Sequence, residues 1–292
     1  MFGRTFLSVN RKADLKSTIT RSLGAAGRFL LPPTCLACGG AGRVVPAGPA
    51  ADGRTALDLC ERCERDLPQA APVDLRVGPW SRVVAPFRYA FPVDAWVCAL
   101  KFEHELAAGR LLGLLLAAAR RAQPGPLPDL VLPVPLHRAR LAERGFNQAA
   151  VIAQHAARAL ARPCAPRALE RCRATAEQSH LRGAARAGNV VGAFRARPGQ
   201  ALGGLHVALV DDVLTTGSTA REATRVLCAA GAAAVELWVP ARAAPPRDSG
   251  AVDLIEQDAD ENRHADVVVV LERAQARRGL PPANLPLLPG EK

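Results

Sequence analysis

Residues 205–240 hold, in order, an apolar run "LHVALV", two adjacent aspartates, a cluster of Thr, Gly and Ser, an amphipathic stretch, and a second apolar run "AAVELWVP". Strand, helix, strand at this spacing predicts two parallel strands of one α/β sheet flanked by helices. Asp211 and Asp212 then fall at the carboxyl end of the first strand, where open parallel sheets bind ligands. The amides of Thr215, Thr216, Gly217, Ser218 and Thr219 open the helix, where successive N–H groups and the helix dipole favour an anion. Two carboxylates beside such a cradle suit a sugar phosphate: the carboxylates accept from vicinal ribose hydroxyls and the cradle holds the 5′-phosphate. A nucleoside-triphosphate loop would instead need Lys beside Ser or Thr, and there is none. An ordinary strand–turn–helix has no reason to keep two aspartates that repel each other.

Cysteine usage sets the front of the chain apart. Cys35 and Cys38 stand in "CLAC" and Cys60 and Cys63 in "CERC", with 21 residues between the pairs. Four thiolates so paired suit a tetrahedral Zn²⁺ that closes a small ribbon, a site that holds a fold together and catalyses nothing. Disulfides explain the pattern less well in a cytoplasmic chain, and a thioredoxin-type site needs one such motif beside a βαβ unit. Cys98, Cys164, Cys172 and Cys228 are scattered and read as core or surface residues.

About half of the 292 residues are hydrophobic, enough to bury the core of one or two domains. The most apolar stretch, "RLLGLLLAAAR", is too short to span a bilayer and is bracketed by charges, so no membrane span is expected. Residues 1–30 are basic (Arg4, Arg11, Lys12, Lys16, Arg21, Arg28) and lack the apolar core and cleavage site of a secretory leader, so a cytoplasmic protein is expected. A Pro- and Gly-rich stretch from Pro68 to Pro79 separates the cysteine module, 31–79, from a larger body, 80–242. Residues 243–292 turn Pro-rich and then acidic and read as a disordered tail, in which only "ADVVVVLERAQ" could form a strand or short helix. Within the body, apolar spacing from Val93 to Leu116 predicts helices, "DLVLPVPL" a buried strand stopped by its prolines, and "NQAAVIAQHAARAL" a helix capped by Asn147. The polar, Arg-rich section from Arg171 to Gly192 reads as a long loop or a weak hairpin.

Formal net charge is +11, carried mostly by Arg, which a GC-rich coding sequence alone would give. Between Leu136 and Arg197, however, twelve Arg stand against Glu143, Glu170 and Glu177. A basic face of that kind attracts phosphates, on a small metabolite or on nucleic acid. Trp80, Phe87, Tyr89, Phe91 and Trp96 cluster just after the module, either to stack single-stranded bases or to form a hydrophobic contact between domains.

The stretch "VALVDDVLTTGST" resembles the phosphoribosyl-pyrophosphate (PRPP) motif of type I phosphoribosyltransferases along its whole length. With "PVPLHRARLAERGFNQA", "RCRATAEQSHLRGAARAGNVVGAF" and the four-Cys module, residues 31–242 resemble the ComF competence-protein family. The resemblance implies a type I phosphoribosyltransferase-like fold, PRPP held with Mg²⁺, and a role in DNA uptake with single-stranded DNA and the uptake machinery as partners. It implies that Asp211 and Asp212 hold ribose and Thr215 to Thr219 the 5′-phosphate. It places Val134, Pro135 and Arg138 at a pyrophosphate turn. Arg144, Asn147 and Gln148 would line the same pocket, or equally serve as surface charge and helix cap. Gln178, Arg182, Arg186 and Asn189 would lie in a hood that closes over PRPP, with DNA phosphate contact as the alternative for the arginines. Two functions stay open. One is a PRPP-binding accessory module for DNA uptake; the other is an active phosphoribosyltransferase whose acceptor no residue announces, and which lacks the N-terminal Cys of a glutamine amidotransferase.

Overall fold

The computed structural model describes residues 32–46, 54–72, 78–174, 190–199 and 201–243. The cysteine module comprises β1 (Arg43–Pro46), β2 (Arg54–Leu57) and α1 (Glu61–Arg65). The body begins with β3 (Arg82–Val84), β4 (Phe87–Arg88), α2 (Val93–Phe102), α3 (Leu106–Arg121) and β5 (Leu130–Pro133). It continues through α4 (Arg138–Arg144), α5 (Gln148–Ala159), β6 (Leu169–Arg171) and β7 (Phe194–Ala196). It ends with β8 (His206–Val210), β9 (Val213–Leu214), α6 (Ser218–Ala229), β10 (Ala234–Trp238) and β11 (Ala241–Arg242).

Four strands form a parallel sheet in the order β3-β10-β8-β5, as the strand–helix–strand pattern predicts. Side chains alternate between two buried faces, because parallel sheets are covered on both. Val207, Leu209, Val235 and Leu237 pack with Ala220, Ala223 and Leu227 of α6 and with Phe194 of the β6–β7 hairpin. Ala208, Val210 and Trp238 pack on α2, α3 and α5 through Trp96, Leu100, Leu112 and Ile152. Helices α3 and α5 meet closely at Gly113, where a Cβ would lie 2.7 Å from the Ile152 carbonyl oxygen.

Three strands are interrupted at the same level and then resume. Beyond Ala85–Pro86, Asp211–Asp212 and Val239–Pro240, the chain forms a second parallel set, β4-β11-β9. Proline at 86 and 240 has no N–H to give to a ladder, so the pairing must lapse there. Hydrogen bonds still bridge the lapse: Asp211 N to Trp238 O at 3.0 Å, Val239 N to Val84 O at 2.9 Å and Val134 N to Val210 O at 2.8 Å. The aspartate pair therefore sits on a fixed backbone at the carboxyl end of β8.

In the middle of β10, Glu236 is 2% exposed and gathers polar and basic side chains around it. Arg120 from α3 grips it in a two-point fork, Nε at 2.8 Å and Nη2 at 3.0 Å. Trp238 Nε1 donates at 2.7 Å, and Arg82 Nε and His206 Nε2 lie at 3.3 and 3.2 Å. Such a carboxylate is tolerable in a core because every oxygen is paired.

The cysteine module shares the body's core. Cys35, Leu57, Leu59 and Leu67 belong to the same buried cluster as Trp96, Leu100 and Leu111. Trp96 Nε1 donates to the Leu36 carbonyl at 3.4 Å. Arg110 of α3 donates to the Ala56 carbonyl at 2.8 Å and pairs with Asp58. This packing overturns base stacking for three of the clustered aromatics: Trp80, Phe87 and Trp96 are buried, and only Tyr89 and Phe91 keep exposed faces. Among the described residues no helix is long and apolar enough to cross a membrane. The expectations for 1–30 and for the tail beyond Ala243 lie outside the described residues.

Candidate functional site

A cavity of about 470 Å³ opens at the carboxyl end of β8, lined by Asp211, Asp212 and four of the five residues from Thr215 to Thr219. The fifth, Thr216, supports the loop from behind. Its Oγ1 lies 3.1 Å from Ser218 Oγ, and its carbonyl accepts from Arg221 Nη2 at 2.9 Å. Gly217 takes φ of +73° as the residue capping α6, a conformation that glycine adopts without steric cost. A Cβ there would lie 3.1 Å from the Trp80 ring, which Thr224 fixes by accepting from its Nε1 at 2.9 Å.

The two aspartates are electrostatically unlike. Asp212 is buried, which alone would raise its pKa, but it ends below the usual carboxylate range because Lys101, Gln148 and the Val213 amide stabilise its charge. Lys101 Nζ and Gln148 Nε2 both approach Asp212 Oδ2 at 2.9 Å. Asp211 is pushed up to about 7 by burial and by the Asp212 charge, although it accepts from the Asp212 amide at 2.9 Å. Of the two, Asp212 is the one whose negative charge its neighbours favour.

The remaining expected residues divide. Gln148 is buried against Asp212 and lines the cavity, while its Oε1 is buried without a hydrogen-bond partner. Asn147 caps α5, its Oδ1 accepting from Ala149 N at 3.0 Å, while its Nδ2 donates to the Val134 carbonyl at 3.0 Å. It lines the cavity as well. Arg144 also lines it. Of the residues expected at a pyrophosphate turn, Val134 lines the cavity. Val134 spends its amide on Val210 and Pro135 has none, so neither offers a backbone donor to a ligand. Arg138 is 83% exposed, lies 3.6 Å from Glu170 and is not part of the cavity wall. Gln178, Arg182, Arg186 and Asn189 lie outside the described residues, which end at Ala174 and resume at Val190 between the paired strands β6 and β7.

Sequence reasoning missed Lys101, His137, Arg140 and Arg171, all in the cavity wall. Burial lowers the pKa of Arg171, opposed by the charge of Asp211, which places the guanidinium within the aspartate's field. In the cysteine module, the Sγ atoms of Cys35, Cys38, Cys60 and Cys63 all lie within 4.8 Å of one another, with Cys38 and Cys60 at 3.9 Å. Zinc–thiolate bonds of about 2.3 Å in a tetrahedron place sulfurs at roughly 3.8 Å, so the set fits such an ion.

Fold and site together define an open parallel α/β sheet protein with a carboxylate pair and a Thr-, Gly- and Ser-rich loop at the carboxyl end of its strands and a four-thiol module sharing its core. No family model matches the chain. It is 40% identical over 197 residues to the DNA utilization protein YhgH of Salmonella typhi, spanning 63% of this chain and 84% of that protein. It is 39% identical over 184 residues to the Escherichia coli K12 protein of the same name, spanning 61% and 75%. To Competence protein F of Haemophilus influenzae it is 33% identical over 169 residues, spanning 56% and 74%. The chain belongs to the ComF competence-protein family. Among solved structures, a glutamine PRPP amidotransferase from B. subtilis matches with a TM-score of 0.30 and 23% identity, covering 45% of this chain and 26% of that one.

Proposed function

We propose that the protein binds PRPP in the 470 Å³ cavity and acts in DNA uptake and use, the role that its relatives' names describe. The observation carrying the reading is that a carboxylate pair on β8 and the loop opening α6 face one cavity. In it, Asp211 and Asp212 accept from vicinal ribose hydroxyls, and residues 215–219 take the 5′-phosphate at a helix N-terminus. Arg140 and Arg171 supply positive charge for the pyrophosphate. Mg²⁺, which neutralises pyrophosphate, would arrive with the ligand, since the four thiols are the only cluster of metal-ligating side chains among the described residues. Those thiols would hold a structural Zn²⁺.

Calorimetry with Mg²⁺ and PRPP tests the reading. Asp211→Asn combined with Asp212→Asn removes the ribose acceptors and should abolish measurable binding. Because Lys101 loses its partner, Lys101→Met is added in the same background to keep the buried charge balanced. Unchanged PRPP affinity in a folded variant refutes the assignment.

A further inference from the structure

Beside the cavity mouth lies an exposed aromatic and basic patch that shares only Arg144 with the cavity wall. Phe102, the last residue of α2 and the neighbour of Lys101, is 60% exposed. The Arg144 guanidinium carbon stands 5.6 Å from the centre of its ring. His104 follows in a left-handed conformation, φ +59°, which a residue with a side chain rarely adopts. So held, its ring stacks 5.4 Å from Phe146, tilted at 52°, and its Nε2 lies 3.1 Å from the Arg144 carbonyl oxygen. Leu106 and Leu141 beside them are also exposed.

An exposed ring topped by a guanidinium is poorly placed for water and well placed for a flat, electron-rich partner with a negative charge next to it. We propose that Phe102 and Arg144 form a nucleobase-stacking site for single-stranded DNA, one base lying on the aromatic face and the adjoining phosphate on the arginine. The inference rests on the nucleic-acid half of the reading above and gives it a place. Unpaired bases are required, because a duplex hides its π faces. The strand stays on the rim: deoxyribose has no vicinal diol to offer Asp211 and Asp212. Arg144 belongs to both the rim and the cavity wall, so the two ligands compete for one side chain only.

The test is fluorescence anisotropy of a labelled oligo-dT with the full chain over a range of salt. Phe102→Ala should weaken binding about tenfold with an unchanged salt slope, because a stacking contact releases no counterions. Phe102→Trp should retain affinity, Phe102→Leu should behave as the alanine variant does, and PRPP affinity should be unaltered in all three. Arg144→Ala should lower both the affinity and the slope, the latter by about one. If the parent protein binds no oligo-dT, the nucleic-acid half of the reading fails and this site with it. If the parent binds and Phe102→Ala stays within twofold, the site is wrong while the reading stands. Full affinity in Phe102→Leu would mark the patch as a plain apolar contact and overturn the stacking.

Discussion

Asp211 carries a cost that Asp212 avoids, because only Asp212 has an ammonium beside it. With its pKa raised to about 7, folded Asp211 keeps a proton that the unfolded chain releases near pH 4. Its contribution to stability is therefore complete below about pH 4, is lost as pH rises to about 7, and changes no further above that. Asp211→Asn should gain stability over the parent as pH rises from about 4 to 8 and be level with it near pH 4. Urea midpoints measured across that range check this, and a difference independent of pH would contradict it. The sequence gives away the aspartates by their adjacency, but it also held a signal for Lys101 that went unused. The chain has four lysines against 34 arginines, and Lys101 is the only one between Lys16 and Lys292. A compact ammonium where arginine is the habit points to a specific partner. Arg171 and Arg140 left no such mark, since twelve arginines share their region and only folding selects which ones turn inward.

The loop between β9 and α6 depends on a single backbone conformation. Gly217→Ala would have to hold φ +73° with a methyl group against Trp80, and should destabilise the protein by about 1–2 kcal/mol while weakening PRPP binding. Parallel melting and calorimetry separate the two effects, and an alanine variant that binds as the parent does would show that the loop is not the phosphate site. Elements such as β8, α6, β10, β5 and α5 were legible because their hydrophobic period is written locally. The two-residue strands β4, β9 and β11 were not, since each is defined by its partner across the sheet and not by any pattern of its own. Helix α4 was missed for another reason: none of its residues is buried, so it shows no apolar face. In the turn before it, proline at 135 and an amide at 134 already given to Val210 leave these two positions without a free N–H, which no local pattern shows.

At the scale of the molecule, the linker at Pro68 to Pro79 suggests separable parts, whereas Leu57, Leu59 and Leu67 lie in the core that also holds Trp96 and Leu111. A module of that size buries too little on its own and relies both on its thiolates and on the body. Cys60→Ser, or a strong chelator, should therefore lower a single melting transition by at least about 5 °C. A two-step melt in which the second step keeps the parent's midpoint would show that the module folds apart. Helix α2 gives this coupling a direction. Trp96 holds the module at Leu36, and Lys101, five residues later and about 7.5 Å further along the axis, holds Asp212. Whatever steadies one end of the helix steadies the other, and thermodynamic reciprocity makes the exchange mutual. A filled cavity should therefore tighten the hold of the thiols on their metal, so that the ligand acts as a guardian of the ribbon.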